Sequence, residues 1–250
     1  MTNARQARTA REKSAALQAE AARQAARRRV IGIAAGVIAA IVVVVGATVV
    51  IRTAQENSEK NSAVATPANI AGGAFLDGQD SAPVVIRIYE DFMCPICGEF
   101  EKENRDQIAA WVADGSVRVE YKPIAILDRA SSTAYSTRAT NAAFVVADKH
   151  PDVFVAYHTL LFENQPEENG PGLDDDKLVA LAVQAGAPEA DVRPGVEAQT
   201  FSGYVTKMTE QATSGGDKIT GTPTVLVNGD QVKDWSAAGL KAAVEAAAKQ

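Results

Sequence analysis

Asp91-Phe92-Met93-Cys94-Pro95-Ile96-Cys97 is the segment on which the structural interpretation depends, because it places a Cys-x-x-Cys pair between a predicted strand and a predicted helix. Residues 84–89 form a β-branched and aromatic run that predicts a mostly buried strand. Helical periodicity follows from Cys97 to about Ala113. Cys94 is therefore expected near the helix N-terminus, where free backbone N–H groups and the helix dipole favour an anion.

This placement favours thiol–disulfide exchange at the two cysteines. A thiol at a helix N-terminus has a pKa below the free value of about 8.5, so we expect Cys94 to be a thiolate at neutral pH. Pro95 suits the first helical position, because its missing N–H needs no partner there. Cys97, one turn further on, can close a disulfide with Cys94 or resolve a mixed disulfide formed there.

An apolar stretch at 30–51 lies well before this pair, and its only hydroxyl belongs to Thr48. A helix of this length rises about 33 Å, enough to cross a hydrocarbon core of about 30 Å. We interpret the stretch as a transmembrane signal-anchor. A cleaved signal peptide and a buried core helix are the alternatives, although a signal peptide has a shorter apolar region of about 7–15 residues.

Charge is distributed unevenly on the two sides of this stretch. Residues 1–29 carry eight basic and two acidic residues, a net charge of +6, and the rest of the chain carries −12. Positive charge stays inside, so 1–29 is predicted to be a cytoplasmic tail and everything after Arg52 to lie outside the cell membrane. The lipid bilayer is then a partner, and the acidic exported part argues against nucleic acid. A chain that is 46% apolar is not intrinsically disordered.

Other uses of the two cysteines are weaker. A zinc site needs two more ligands, but no further Cys is present, and His150 and His158 are not spaced as a chelating pair. A structural disulfide across two residues constrains little of the unfolded chain. Two reduced core cysteines fit poorly with an exported location. We therefore predict no metal and interpret both histidines as helix-surface or capping residues.

The exported part divides into a polar linker at 52–71 and one domain at 72–250. A second strand is predicted at 117–121, and helical patterns dominate from about 131 to 212. Strand character returns later, and a hairpin turn and a final helix follow. These elements are predicted at 224–227 (strand), 228–229 (turn), 231–232 (return strand) and 237–249 (helix capped by Ser236).

This order predicts an α/β fold. The strand–helix–strand unit starts a parallel sheet through a right-handed crossover, and the hairpin adds antiparallel strands. The helices between 131 and 212 are too extensive for a loop, so they are expected to form a lid or subdomain.

A second motif, Gly221-Thr222-Pro223-Thr224, precedes the late strand. Proline cannot donate to a central ladder, so it belongs at an edge or at the first residue of a strand. A cis Thr222–Pro223 bond would expose the Thr222 backbone to an extended peptide, whereas an ordinary trans turn is the more frequent state of such bonds.

At these residues the chain resembles the DsbA-like thioredoxin-fold oxidoreductases. Residues 84–100 resemble the active-site segment of that family, 158–165 are similar to its helical insertion, and 221–225 match its cis-proline loop. The resemblance covers about residues 72–249. It implies a thioredoxin fold with a helical insertion domain, preceded here by one transmembrane helix. It also implies a cis Pro223 facing the cysteine pair and a groove for unfolded or extended polypeptides that carry cysteines.

Some residues depart from the family pattern and leave the direction of the reaction open. The intervening dipeptide Pro95-Ile96 lacks the His of the most oxidising members and is not the Gly-Pro of cytosolic reductants. Thr222 could offer a hydroxyl to the Cys94 sulfur. Asp91 is either a proton acceptor or a polar group that closes the loop.

The sequence thus predicts a membrane-anchored, extracytoplasmic thiol–disulfide oxidoreductase that oxidises cysteine pairs of exported proteins, with a disulfide reductase or isomerase of the same fold as the alternative. Cys94 is the exposed nucleophilic sulfur and Cys97 its buried partner. Thr222 and Pro223 form the substrate-binding loop. The only cofactor implied is the protein's own disulfide. An oxidase would be reoxidised by a quinone-linked membrane protein of the DsbB or vitamin K epoxide reductase type. A non-catalytic binding or sensor protein is the alternative of a different class.

Overall fold

The computed structural model describes residues 64–249. Within that range, no helix combines the length and the apolar character that crossing a bilayer requires. The predicted cytoplasmic tail at 1–29, the transmembrane segment at 30–51 and linker residues 52–63 lie outside the described residues, so these interpretations stay predictions.

Five strands and seven α-helices make up the described part of the chain. The strands are β1 (Phe75–Asp77), β2 (Val84–Glu90), β3 (Val117–Pro123), β4 (Thr224–Val227) and β5 (Asp230–Gln231). The helices are α1 (Pro95–Ala113), α2 (Tyr135–Lys149), α3 (Phe154–Glu163), α4 (Asp175–Ala185), α5 (Glu189–Glu197), α6 (Ser202–Ser214) and α7 (Ala237–Ala247). Short 3₁₀ turns lie at Asp128–Ala130 and Pro151–Val153.

The strands form one mixed sheet in the order β1-β3-β2-β4-β5. Strand β2 runs parallel to β3, with Val84 opposite Val117. It runs antiparallel to β4, with Ile88 opposite Val225. The predicted parallel unit and antiparallel hairpin are therefore confirmed. Strand β1 was not predicted, because three residues are too few to show alternation.

The C-terminal half of β2 is buried on both faces of the sheet, which positions the segment that follows it. Ile86, Ile88 and Glu90 alternate toward one face and are almost inaccessible to solvent. Tyr89 points to the opposite face and packs with Ile124, among other apolar residues. Burial on both faces fixes the end of β2, and with it the start of α1.

Helix α1 presents one continuous buried stripe to the domain interior. Its buried residues are Cys97, Phe100, Glu101, Asn104 and Ile108, which recur at intervals of three and four. The stripe places a cysteine and a glutamate one turn apart on the same inward face.

Helices α2 to α6 form the insertion between β3 and β4. Helix α2 is its centre, since most of its residues are buried. The sequence predicted a helical block here but did not identify α5 as a separate helix. Pro194 lies inside α5, and a proline in a helix interior is normally a sign that the helix has ended, so the pattern around it does not predict a helix.

The last residues of the predicted linker contact the end of α2. The Ala68 N–H donates to Asp148 Oδ1 at 2.7 Å, and Asn69 Nδ2 donates to the Ala147 carbonyl at 3.0 Å. Ile70 is buried. Residues 68–70 are therefore part of the folded domain.

Candidate active site

The cysteine pair occupies the junction between β2 and α1. Cys94 is the N-cap of α1, and Pro95 is its first residue. The Cys94 carbonyl accepts from the N–H groups of Cys97 at 3.0 Å and Gly98 at 3.2 Å, so the first turn of the helix begins at this cysteine. Both cysteines are free thiols.

Access to the two sulfurs differs less than the sequence predicts. Cys94 is 6% exposed and Cys97 is 1% exposed, so Cys94 is the more accessible residue but is not openly exposed. The reason is the loop before β4: Cys94 Sγ donates to the Thr222 carbonyl at 3.3 Å, which places Thr222 over the thiol. The expectation of a freely exposed Cys94 was wrong to this extent.

The surroundings of the two thiols shift their pKa values in opposite directions. A hydrogen bond from the Cys97 thiol lowers the pKa of Cys94 to about 6, although burial acts in the opposite direction. Hydrogen bonds from the Thr222 side chain and from the N–H groups of Cys97 and Ile96 lower this pKa further. Burial, followed by the interaction with Cys94, raises the pKa of Cys97 well above its usual range. At neutral pH the reduced pair therefore carries its charge on Cys94.

The loop before β4 has the geometry that the resemblance implies. The Thr222–Pro223 peptide bond is cis. The Thr222 carbonyl faces Cys94. The hydroxyl of the Thr222 side chain lowers the pKa of both cysteines. Thr224 Oγ1 donates to the Gly221 carbonyl at 2.7 Å and so holds the loop at its base. The structure thus brings Thr222 and Pro223 together with the cysteine pair.

Asp91 closes the segment between β2 and α1. Its side chain is fully buried, with Oδ1 accepting from the Met93 N–H and Oδ2 from the Leu127 N–H, each at 2.9 Å. Burial raises the pKa of Asp91 to about 6 despite these hydrogen bonds. Because both oxygens are engaged by backbone groups, the geometry favours the loop-closing interpretation of Asp91 over that of proton acceptor.

Ile96 and Pro95 form the solvent-facing rim of the site. Ile96 is 47% exposed, one of few large apolar side chains in the described residues that face solvent to this extent. Pro95 is also exposed. An apolar rim beside the cysteine pair is suited to contact with an extended polypeptide.

Gln165 is a residue of the site that sequence reasoning did not single out. Its Nε2 donates to the Phe92 carbonyl at 3.1 Å and to the Cys94 carbonyl at 2.8 Å. A Cβ on Gly98 would lie 2.5 Å from Gln165 Oε1, so this glycine makes room for the amide. The only available signal was its position at the end of 158–165, the segment that resembles the family's insertion.

A buried ionic cluster lies behind the cysteine pair, and it was also missed. His158 Nε2 is 2.7 Å from Glu90 Oε1, and His158 Nδ1 is 3.8 Å from Glu101 Oε1. Thr159 Oγ1 donates to the same Glu101 oxygen at 2.9 Å. All three ionisable side chains are almost completely buried. The prediction that His158 lies on the surface or caps a helix was therefore wrong. His150 is partly exposed beside Asp191, at 3.0 Å.

The cluster holds a proton at neutral pH. Burial lowers the pKa of His158, but the charges of Glu90 and Glu101 outweigh it and raise the value to about 9. Burial raises the pKa of Glu90, against the effect of His158. Aromatic rings of Phe92, Tyr121 and Phe162 surround the imidazole.

A cavity of about 430 Å³ opens beside Pro95, between α1 and the end of α3. Glu101 lines it, so the ionic cluster reaches this cavity at one of its carboxylates. Within residues 64–249, no group of three or more His, Cys, Asp or Glu side chains is placed to hold a metal ion.

Comparisons with known proteins agree with this geometry. A family model described as Thioredoxin matches residues 71–246. Reduced DsbA from Mycobacterium tuberculosis is 30% identical, with a TM-score of 0.60, and the match covers 71% of this chain and 98% of that chain. Disulfide bond formation protein D of Bacillus subtilis is 27% identical over 186 residues, 72% of this chain and 79% of that protein. The predicted DsbA-like thioredoxin fold is confirmed.

A different class of protein also carries a related segment. Serine/threonine-protein kinase PknE of Mycobacterium tuberculosis is 33% identical over 161 residues. The match covers 61% of this chain but only 28% of the kinase. The chain therefore spans little more than a quarter of the length of these curated relatives.

Proposed function

The chain belongs to the thioredoxin family, and we propose that it is a membrane-anchored extracytoplasmic oxidoreductase that oxidises cysteine pairs of exported proteins. The proposal rests above all on one observation: Cys94 is the N-cap of α1 against the Thr222 carbonyl and Cys97 is buried one turn further on, an arrangement in which the pKa of Cys94 is lowered to about 6 and that of Cys97 is raised well above its usual range. A stabilised thiolate at Cys94 favours the reduced form of the pair, and a pair whose reduced form is stabilised is an oxidant.

The reaction follows from this asymmetry. A substrate thiolate attacks Cys94 Sγ of the Cys94–Cys97 disulfide, the S–S bond breaks, and its electron pair leaves on the Cys97 sulfur, which takes up a proton. A second substrate thiolate then attacks the substrate sulfur bound to Cys94, releasing Cys94 as a thiolate. The substrate has lost two electrons and gained a disulfide, and the protein's pair is reduced.

The surroundings of the pair support a polypeptide substrate. Thr222 and Pro223 lie over Cys94, and Ile96 offers an apolar contact at the rim. An extended segment lying along this loop would bring its cysteine to Cys94 without needing a deep pocket. Unfolded or extended exported polypeptides with cysteines are therefore the proposed substrates.

The pair must be reoxidised after each turnover. We assign this step to a quinone-linked membrane oxidase of the DsbB or vitamin K epoxide reductase type, which would accept the two electrons. No cofactor beyond the protein's own disulfide is needed for the exchange itself. The names of the DsbA and disulfide-bond-formation relatives support a role in disulfide formation.

The location rests on the sequence outside the described residues. The apolar stretch at 30–51 and the basic residues of 1–29 support a single-pass anchor with its N-terminus in the cytoplasm. Protease added to intact spheroplasts should remove the domain and leave the N-terminal tail protected. A tail that is cleaved with the domain would overturn this topology.

The function is tested with the oxidised full-length chain in detergent, mixed with a reduced, unfolded disulfide protein. We expect native disulfides to form at a rate proportional to the chain's concentration. The matched control is Cys94→Ser, which keeps the fold and removes the attacked sulfur. Wild type that performs no better than Cys94→Ser would overturn the oxidase proposal.

A reductase or isomerase of the same fold is the second candidate, favoured by the absence of a His between Cys94 and Cys97. The reduction potential decides between the directions. A value near about −120 mV supports an oxidase, and a value near about −270 mV supports a reductase.

A sensor or binding protein is the candidate from another class, favoured by the kinases that contain a related segment. Such a protein would use the groove without turnover. Cys97→Ser then captures no exported proteins as mixed disulfides, whereas an oxidoreductase with this substitution accumulates them.

A further inference from the structure

The cavity beside Pro95 has no part in the exchange reaction as described above. It has a volume of about 430 Å³ and lies between the first turns of α1 and the end of α3. Pro95 belongs to its wall and directly follows Cys94, so the cavity begins one residue along the chain from the reacting cysteine. Pockets for small ligands have volumes of about 300–1,000 Å³. The cavity is therefore large enough for one side chain of a polypeptide that reacts at Cys94.

Glu101 supplies the first polar group of the inner wall. The residue is 6% exposed and lines the cavity. Thr159 Oγ1 donates to its Oε1 at 2.9 Å, and His158 Nδ1 lies 3.8 Å from the same oxygen. Its Oε2 accepts no hydrogen bond from residues 64–249 and is not sealed from solvent. A largely buried carboxylate is stable only when its oxygens are paired, so Oε2 is suited to a donor that enters the cavity.

Gln165 supplies the second polar group. Its Nε2 donates to the Phe92 carbonyl at 3.1 Å and to the Cys94 carbonyl at 2.8 Å, so both amide hydrogens are used. Because carbonyls only accept, these contacts fix the orientation of the amide. Its Oε1 lies against Gly98 and accepts from no residue that the structure describes. The described side chains of the inner wall therefore present two acceptor oxygens and no free donor.

The charges at the rim of the cavity balance one another. Arg105 Nη1 pairs with Glu163 Oε1 at 2.5 Å. Glu99 and Lys102 are both exposed and carry opposite charges. Among the described residues that line the cavity, this leaves the carboxylate of Glu101 as an unbalanced negative charge.

The groups behind Glu101 do not remove this charge. Glu90 Oε1 lies 2.7 Å from the other ring nitrogen of His158. Burial lowers the pKa of His158, but the charges of Glu90 and Glu101 outweigh it and raise the value to about 9. One imidazolium thus faces two carboxylates at neutral pH. A second cation, bound in the cavity, would balance the cluster.

The remaining wall is apolar. Phe162 is 7% exposed and lines the cavity together with Pro95. Lysine and arginine side chains lay their aliphatic stems along apolar surface while the charged head reaches polar groups. A basic side chain therefore matches both the apolar wall and the two acceptor oxygens.

We propose that this cavity is a subsite for a lysine or arginine side chain of the polypeptide whose cysteine reacts with Cys94. The inference deepens the proposed function and rests on it, because it requires a polypeptide substrate. The stem lies along Phe162, and the ammonium or guanidinium group donates to Glu101 Oε2 and Gln165 Oε1. An acidic side chain would be repelled by Glu101, and an apolar one would leave both oxygens without a donor.

The consequence is a preference among substrate cysteines. An extended chain advances about 3.3 Å per residue, so a side chain that enters a cavity next to Cys94 belongs to a residue within about three positions of the substrate cysteine. A cation that donates to a carboxylate forms a hydrogen bond about twice as strong as a neutral one. Cysteines with a basic residue at the right position should therefore react about tenfold faster.

The test uses the full-length chain in detergent with Cys97→Ser, so that Cys94 is its one thiol. Short peptides carry a central cysteine joined by a disulfide to thionitrobenzoate. The Cys94 thiolate attacks the peptide sulfur, the S–S bond breaks, and its electron pair leaves on the coloured thionitrobenzoate, whose absorbance gives the rate constant. Lysine or norleucine is placed in turn at each position near the cysteine. Norleucine has an aliphatic stem like that of lysine but no ammonium group.

We expect the lysine peptide to react about tenfold faster than the norleucine peptide at one or two positions and equally fast at the others. Glu101→Gln should reduce this ratio to less than about twofold, since it removes the charge. Asp106→Asn, the same loss of charge on the exposed face of α1, should leave the ratio unchanged. Taking the ratio within each variant cancels any change in the reactivity of Cys94.

A ratio that Glu101→Gln does not lower overturns the proposal. A ratio that is the same at every position also overturns it, because that result means general attraction of cations to the Cys94 thiolate. If Glu101→Gln does not fold, the Cys97→Ser chain linked to the lysine peptide supplies the test. The lysine ε-methylene protons should then show a nuclear Overhauser effect to the Phe162 ring, and the absence of this contact rejects the subsite.

The exchange assay does not depend on the direction in which the protein transfers electrons in the cell. A lysine preference that needs Glu101, found together with the potential of a reductase, would defeat the proposed oxidase and leave the subsite intact. Oxidation of reduced proteins with no lysine preference would defeat the subsite alone.

Discussion

The two sides of the first turns of α1 differ in how they use polar groups. The exchange side consists of Cys94, Ile96, Thr222 and Pro223, and Cys94 there contacts the carbonyl and hydroxyl of Thr222 and backbone N–H groups of α1. The buried side consists of Cys97, Glu101, His158 and Glu90, and its ionisable side chains are almost completely buried. One side presents a reactive sulfur to a substrate, and the other holds its partner sulfur out of contact with solvent.

The difference shows why the two cysteines are not equivalent. On the exchange side, donors from the helix N-terminus and Cys97 stabilise a thiolate, and the pKa of Cys94 falls to about 6. On the buried side, desolvation opposes a second thiolate at Cys97. The position of Cys94 as the N-cap of α1, with Cys97 buried in its first turn, is therefore the decisive structural feature.

The largest expected effect is that of replacing the cysteines themselves, one on each side. Cys94→Ser should abolish disulfide transfer to a reduced protein, because it removes the sulfur that substrates attack. Cys97→Ser should also stop turnover, but it should accumulate mixed disulfides, since the resolving thiol is absent. Non-reducing gels of cells carrying each variant distinguish the two results. Equal trapping by both variants would contradict the assignment of roles.

The next effect tests the buried side. His158→Leu leaves Glu90 and Glu101 buried without their cation, so the free energy of unfolding should fall by about 3–5 kcal/mol. Urea titrations of the full-length chain in detergent, followed by the fluorescence of Trp111 and Trp235, measure the loss. His150→Leu removes a partly exposed pair with Asp191 and should cost less than about 1 kcal/mol. Equal losses would mean that the buried cluster contributes no more to stability than the partly exposed pair.

The same contrast explains what the sequence could predict. The exchange side can be predicted from short stretches of sequence, because the strand, the Cys-x-x-Cys pair and the helix follow one another directly along the chain. The Thr222-Pro223 motif adds the second part of this side. The buried side joins residues from separate elements, since 68 positions separate Glu90 from His158. A polar residue on a helix is expected to face solvent. Without a partner visible in the sequence, His158 was therefore placed on the wrong surface.

The third effect concerns Gln165, which connects the insertion to the exchange side. Gln165→Ala removes the donors to the Phe92 and Cys94 carbonyls and should cost about 1–3 kcal/mol of stability. Gln107→Ala, which also breaks contacts of a partly buried glutamine but away from the cysteines, is the control. Only Gln165→Ala should slow disulfide transfer at a temperature where both variants are folded. Equal transfer rates would show that Gln165 acts on stability alone.

The fourth effect concerns pH and Asp91. Burial raises the pKa of this carboxyl to about 6 in the folded protein, above an unfolded value of about 3.9. A carboxyl whose folded pKa is raised binds protons more readily in the folded state, so its contribution to stability is present below pH 4 and is lost as pH rises through 6. The loss amounts to about 2–3 kcal/mol. Urea midpoints between pH 4 and 7 should fall less steeply in Asp91→Asn than in wild type.

The smallest effect tests the hydroxyl on the exchange side. Thr222→Val keeps the carbonyl that accepts from Cys94 and removes the hydroxyl that lowers its pKa. The thiolate midpoint, followed by absorbance at 240 nm in a Cys97→Ala background of both proteins, should therefore rise by less than one unit. A tenfold change in the exchange equilibrium corresponds to about 30 mV for two electrons, so the reduction potential should become more negative by less than that. A midpoint and a potential that do not change would mean that the hydroxyl does not stabilise the thiolate and that Thr222 contributes only its backbone.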